Sequence, residues 1–519
     1  MMKRKVLLVF LIVTMLLSAV GCGNAGKEEK TDETKTNRDE TVTNTEKPVE
    51  ITVELFDRAN VPPDQGSLTE NRWTKWIQEE MLKQGVIVNY MPIPRGEEVT
   101  KINVLLASSS APDIIFTYDR GKFQNWALSG GLHDLSDLIG KYGEKIKRNL
   151  GDEVLKLGIV DGKQYAIPAK RPRIGHLVPF IRKDLVDKLG LKMPANKSEL
   201  VTVLKAFKEY GGKDFIPWSN PINLRYIQSL ALTFADNTES EIYTTPNYMK
   251  DGYRDLMEWM NGLYKQGLID LEFPIRSGDD SLAQKVQGNV GFFVEGWWVP
   301  VNTSEKGILN MLKTNVPGAT FEPVDCFEDK NGKYTKNIYH PIGLYIMSPK
   351  TAKHPEAVVK YLNWLADLDT AMKLFYGIEN EHYEMKDGIP IQKDMAYYAK
   401  TLGYISLDLA LTYNPYPFPQ ASMERIIKSE YGDNGEIAAR AYKIAMTDGI
   451  ADDVLFSTPM EVYNKYVAEL TKAVDDYLIK LIIAEDFGSV WENYKKDISA
   501  KGADEVVKER TEYYNKYIK

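Results

Sequence analysis

The chain has 519 residues, about three domains at roughly 150 residues each, or two large ones. Its 43% apolar and 27% charged residues form a globular composition, which excludes collagen, wholesale disorder and a polytopic membrane protein. With 65 basic against 73 acidic residues the net charge is −8, so no domain-scale basic face is offered to a nucleic acid; 30 Tyr, 9 Trp and 17 Phe are a surplus that suits a cleft stacking on flat ligand faces.

The first 22 residues, MMKRKVLLVFLIVTMLLSAVGC, carry a basic start and a short apolar run from Val6 to Leu17. That run is too short to span a membrane comfortably and has the length of a secretory signal, so residues 1–21 are read as a signal peptide. Ala19 and Gly21 before Cys22 resemble the lipobox of bacterial lipoproteins, in which the cysteine becomes the lipidated first residue. The other cysteine, Cys326, then has no partner in the same chain and is expected to be a small strand residue. Residues 22–48 hold no aromatic side chain and almost nothing apolar, the composition of a disordered tether.

Strands and helices alternate beyond Pro48. ITVELF predicts a buried strand, NRWTKWIQEEML a helix with Trp73, Trp76, Ile77 and Met81 on one inward face, VIVNYMPI a second strand, and EEVTKINVLLASSSAPD a second helix. A third strand, IIF, runs into the polar loop TYDRGK, and this βαβαβ order implies a parallel sheet. Farther on, Asn196 and Glu199 form a capping signature for a helix that stops at Gly211 and Gly212. A longer helix is predicted over 246–266, and VGFFVEGWW reads as an apolar strand emptying into a tryptophan pair. Asp161-Gly162, Asn331-Gly332 and Asp387-Gly388 predict three hairpin turns, and the chain from about Ala421 onward is mostly helical.

Catalytic signatures are missing from the string. The five histidines show no metal-ligand spacing, no phosphate-cradling glycine loop occurs, and there is no G-x-S-x-G elbow. The positive signals are strand-end loops, where open α/β sheets bind ligands. Asp57 and Arg58 follow the first strand, Tyr118, Asp119 and Arg120 the third, and Glu295, Trp297 and Trp298 the strand from Val290. Carboxylates and guanidinium groups beside aromatic rings match a pyranose, which presents hydroxyls round its rim and C–H faces above and below.

APDIIFTYDRGKFQNWALSGGLHDLSD and GNVGFFVEGWWVPVNTSEKG resemble segments of maltodextrin-binding proteins and their relatives, the extracellular solute-binding lipoproteins of carbohydrate ABC importers. DGKQYAIPAKR and the stretch from His354 to Pro390 are similar to the long Firmicutes branch of that family. The resemblance implies an α/β, two-lobe periplasmic-binding-protein-like fold of type II with a multi-strand hinge. Lobe 1 would comprise 49–170 and 341–420, and lobe 2 171–340 and 421–519, with the chain crossing near Pro168 to His176, near His340 to Gly343 and around residue 420. It places Asp119 and Arg120 on the family's hydroxyl-binding pair and Trp298 on a sugar-stacking tryptophan; Asp57 and Arg58 rest on the strand-end argument alone.

The expectation is a monomeric receptor without enzymatic chemistry or cofactor. It would be lipid-anchored outside a bacterial membrane and would deliver an oligosaccharide to permease subunits. Arg58, Arg95, Arg120, Arg171 and Arg173 leave room for an acidic sugar. Long members often carry an acidic calcium loop after the helix equivalent to Ser198 to Lys208; here only Glu209 and Asp214 remain, so no calcium is expected. A surface polysaccharide lyase or hydrolase and a peptide receptor stay open as alternatives.

Overall fold

A computed structural model describes residues 47–171, 173–219, 230–303, 307–412, 418, 420–451 and 460–519. Strand β1 (Val49–Asp57) pairs in parallel with β2 (Val86–Pro94), and helix α1 (Arg72–Leu82) crosses between them. Asn71 starts that helix by accepting from the N–H groups of Trp73 and Thr74, while Thr74 accepts from the Asn71 N–H in return. The buried face of the helix, Trp73, Ile77 and Met81, meets Ile51, Val53 and Leu55 of β1 in one core. Each such side chain removed from water is worth about 1.5–3 kcal/mol.

The parallel arrangement extends through Ile114, which bridges to Val53, but then reverses. After α2 (Glu98–Ala107), strand β3 (Ile115–Thr117) lies antiparallel to a strand from far along the chain, so the βαβαβ reading holds only as far as Ile114. TYDRGK is likewise only half a loop, because helix α3 (Arg120–Leu128) begins inside it with Asp119 as N-cap. An Asp three residues before an N–H it can accept from is a helix-start signal as much as a loop signal.

β4 (Ile159–Val160) and β5 (Lys163–Gln164) form the hairpin predicted at Asp161-Gly162, both turn residues having the positive φ that a two-residue connection demands. Next come β6 (Ala166–Lys170), β7 (Leu177–Arg182), β8 (Ile216–Trp218), β9 (Val290–Gly296), β10 (Phe321–Pro323), β11 (Lys336–Ile338) and β12 (Ile342–Met347). All but β11 join, with β3, in two separate sheets, β3-β12-β6 and β10-β7-β9-β8. The turn at Asn331-Gly332 is not a hairpin. Asp329 closes it by accepting from the N–H groups of Asn331 and Lys333, and β11 pairs instead with Gly449–Ala451. The Asp387-Gly388 turn does join two paired strands, Tyr383–Lys386 and Ile389–Gln392.

Asn196 caps the helix Lys197–Gly211 through the Glu199 N–H, while the Glu199 carboxylate reaches the Ala195 N–H. The helix predicted over 246–266 spans Asp251–Lys265, since Lys250 is still extended. Cys326 is buried, but in a loop beyond β10 rather than in a strand, and burial raises its thiol pKa.

Buried apolar residues gather into one core drawn from 51–169 and 342–411, and into others drawn from 177–334 and 427–506. The passages between them run side by side. Arg171 N–H donates to Pro341 O at 2.7 Å, Tyr339 N–H to Ile174 O at 2.7 Å, and Lys170 N–H to Thr412 O at 3.4 Å. Within helix Gln420–Glu430, Ile426 packs with Met372 and Tyr376 while its neighbour Ile427 packs with Phe293 and Trp297. A third passage expected around residue 420 falls in part on 413–417 and 419, outside the described residues.

Candidate functional site

A cavity of about 1330 Å³ opens where these passages meet, larger than the 300–1,000 Å³ typical of small-molecule pockets. One wall comes from Tyr118, Asp119 and Arg120 after β3. The passages supply Arg171, His176 and Tyr339, and a third wall is a stripe of helix Glu461–Ile482, with Tyr463, Val467, Thr471 and Asp475 at helical spacing. That helix comes close to α3: a Cβ built on Gly121 would lie 2.9 Å from Asn464 Oδ1.

Aromatic groups shape the cavity. The His176 imidazole lies 4.0 Å from the Tyr339 ring centre, and the Arg171 guanidinium sits 4.2 Å over the same tyrosine. Tyr118, 41% exposed, stacks on Phe56 and carries Arg95 over its ring at 4.6 Å. Flat exposed faces and nearby cations are what a polyhydroxylated ring can use.

The charged groups are mostly compensated. Glu295 pairs with Lys285 at 2.9 Å, Arg276 is held by Asp270 and Glu272, and Arg510 donates to the carbonyls of Tyr243 and Thr244. Asp119 accepts from the Lys122 N–H at 3.0 Å. Beneath Tyr118, burial holds the Glu54 carboxyl well above the usual carboxylate range, and raises Glu98 too. Glu54 nevertheless accepts from the Phe116 N–H, which ties β1 to β3 under the site.

Of the residues singled out in the sequence, Tyr118, Asp119, Arg120 and Glu295 line this cavity together. Four others do not. Asp57 is the last residue of β1 and accepts from the Ala59 N–H. Arg58 is committed to Asp408 by two bonds of 2.7 and 2.8 Å. Trp297 is a core side chain, 2% exposed, against Tyr431 and Tyr442. Trp298 stands one layer behind the wall, parallel to the His176 ring at 6.2 Å. Both tryptophans lie in the turn beyond β9, where Tyr442 packs 5.0 Å from the first indole and His176 lies parallel to the second.

Sequence reasoning passed over His176, Tyr339, Tyr463 and Asp475 as wall residues. The first two sit at the expected crossings, a signal that could have found them. The helical stripe depends on which face of Glu461–Ile482 meets the core, and Leu470, Val474 and Leu478 decide that.

The profile of the family described as bacterial extracellular solute-binding protein matches residues 66–372. The chain belongs to that family. Its relatives include the polygalacturonan/rhamnogalacturonan-binding protein YtcQ of Bacillus subtilis (strain 168), 24% identical over an alignment of 443 residues that covers 81% of this chain and 84% of YtcQ. Lipoprotein LipO of the same organism is 25% identical over 456 residues, covering 81% of this chain and 85% of LipO. Among solved structures, the Streptococcus pneumoniae ABC-transporter substrate-binding protein FusA in complex with kestose superposes with a TM-score of 0.68 at 16% identity, over 90% of this chain and 99% of FusA. Alginate-binding protein AlgQ2 without calcium ion gives 0.67 at 19% identity, over 91% and 99%. The fold of this solute-binding protein is therefore the two-lobe α/β architecture of those receptors. Among the described residues, no helix is long and apolar enough to cross a membrane.

Proposed function

We propose that this protein captures an oligosaccharide in the cavity between its lobes and hands it to the permease subunits of an ABC importer, performing no reaction on it. The observation that carries the reading is the cavity itself, whose walls come from residues packed on different cores and whose faces combine aromatic rings with hydrogen-bonding groups. A ligand touching Tyr118 and Asp119 on one side and Glu295 and Tyr463 on the other is held better when the walls are close, so binding favours closure about the passages. The names of YtcQ and FusA, and the kestose bound to the latter, support a sugar ligand.

The lobes we assign are 49–170 with 341–420, and 171–340 with 421–519, and the division of the buried cores supports them. The protein acts as a monomer, tethered outside the cell membrane through lipid on Cys22, a position outside the described residues. A glycan screen by calorimetry, paired with small-angle scattering, tests the reading. Tight binding of a glycan with a compacted scattering profile is expected. Turnover of the glycan would make the protein an enzyme, and binding confined to peptides would make it a peptide receptor.

A further inference from the structure

Arg171 differs from several neighbouring cations. Glu295 holds Lys285, Asp270 and Glu272 hold Arg276, Asp408 holds Arg58, and Glu430 holds Arg173. Arg171 lines the cavity, yet among the described residues no carboxylate lies within ion-pair range of it and no acceptor meets its buried Nε. The contacts that hold it in place are different in kind. Its backbone N–H is bonded to Pro341 O, and its guanidinium lies 4.2 Å over the Tyr339 ring, which itself is 4.0 Å from the His176 imidazole.

A guanidinium taken partly out of water without a counter-charge is costly, and burial does lower its pKa from the ordinary value. A fold can retain such a group where a ligand completes it. The planar fork of arginine matches a carboxylate with two parallel hydrogen bonds, a fit that neither a hydroxyl nor an ammonium provides. The aromatic groups around it, Tyr118, His176 and Tyr339, suit the ring of the sugar that bears the carboxylate.

We propose that Arg171 is the counter-ion for a carboxylate of the ligand, so that the cavity selects oligosaccharides built from uronic acids. The inference rests on the sugar-receptor reading above and adds the class of sugar. Its position at the first passage between the cores also means that the bound carboxylate sits on the pivot, where it is held from the open form onward.

The test is calorimetric titration of the purified protein with tetragalacturonate, tetramannuronate, the methyl ester of tetragalacturonate and maltotetraose. Wild-type protein should bind at least one of the two acids about tenfold or more tighter than the ester and maltotetraose. Arg171→Gln should abolish that preference, its affinity for the acids falling about tenfold or more beyond any change for the ester and maltotetraose, and Arg171→Lys, which keeps the charge but not the fork, should fall between. Unchanged melting temperatures check that the variants are folded. Equal affinity for acid and ester in the wild type, or full acid preference in Arg171→Gln, would overturn the assignment. If the wider glycan screen finds a tight neutral ligand and neither acid binds, the uronate proposal fails and the sugar-receptor reading stands; if no glycan binds, both fail.

Discussion

The Glu430 carboxylate meets the Arg173 guanidinium at 2.5 Å, joining helix Gln420–Glu430 to the first passage between the cores across 257 residues of sequence. Both side chains are largely buried, and Trp297 lies 5.7 Å beneath the guanidinium. Burial alone would lower the Arg173 pKa, but Glu430 and the nearby tyrosines reverse the direction, so the cation is secure. The pair pins the region about which the lobes would move.

Removing one partner leaves a buried charge without compensation. Glu430→Ala should cost about 3–5 kcal/mol of stability, read as a lower midpoint in urea denaturation. The double variant Arg173→Met with Glu430→Leu should recover most of that loss, because it removes the stranded charge as well.

Tyr118 and Trp298 should behave differently although both are aromatic and near the site. Tyr118→Ala removes a half-exposed ring from the cavity wall and should weaken glycan binding by roughly 1–3 kcal/mol, with stability unchanged within about 0.5 kcal/mol. Trp298→Ala removes packing behind His176 and Tyr339 and should lower apo stability by about 3 kcal/mol as well as affinity. Calorimetric titration and thermal melts on the same preparations separate the two. An unchanged melt for Trp298→Ala would place that indole on the wall after all.

Lys250 predicts a pH dependence. Its amine is buried and donates to the carbonyls of Glu241, Ile242 and Thr245, next to the cavity segment Thr245 to Tyr248. Burial, helped by Arg510, lowers its pKa to about 8. The unfolded amine titrates near 10.4, so between these values the unfolded state binds more protons and stability rises with pH. The full penalty applies below about pH 8, and the gain across the window is on the order of 3 kcal/mol. Stability of wild type minus Lys250→Met, measured from pH 7 to 10.5, should climb over that interval; a flat difference would show an unshifted amine.

Chelation should leave the protein unaffected. After helix Lys197–Gly211 the chain offers Asp214 in a short turn, and among the described residues no group of three or more His, Cys, Asp or Glu side chains could hold a metal ion. A folded state binding calcium at one hundred times Kd would gain about 2.7 kcal/mol, so a melting temperature that drops in EDTA and returns with calcium would reveal a site.

Lipid attachment is checked in cells. Cys22→Ala should abolish incorporation of labelled fatty acid and release the protein from the membrane fraction. Retention of label would show that Cys22 is not the anchor.

The features legible in the sequence alone were those set by neighbours along the chain. Asn196 three residues before Glu199, Asp161-Gly162 between short strands, and the spacing of Trp73, Ile77 and Met81 each state a local conformational preference, and each is realised. The family resemblance rested on contiguous segments and reached the two-lobe fold for the same reason. The fate of individual site residues depended on partners no local pattern reveals. Arg58 and Asp57 occupy the same strand-end context, yet Arg58 is taken by Asp408, 350 residues away. Trp297 and Trp298 are adjacent letters, and packing of Tyr431 and Tyr442 sends one into the core. Arg171 reads in the sequence as one loop arginine among five. Only the tertiary structure shows that Arg58 and Arg173 have their carboxylates, whereas Arg171 lines the cavity with no carboxylate in ion-pair range among the described residues, because an ion pair's partner is chosen by distance in space.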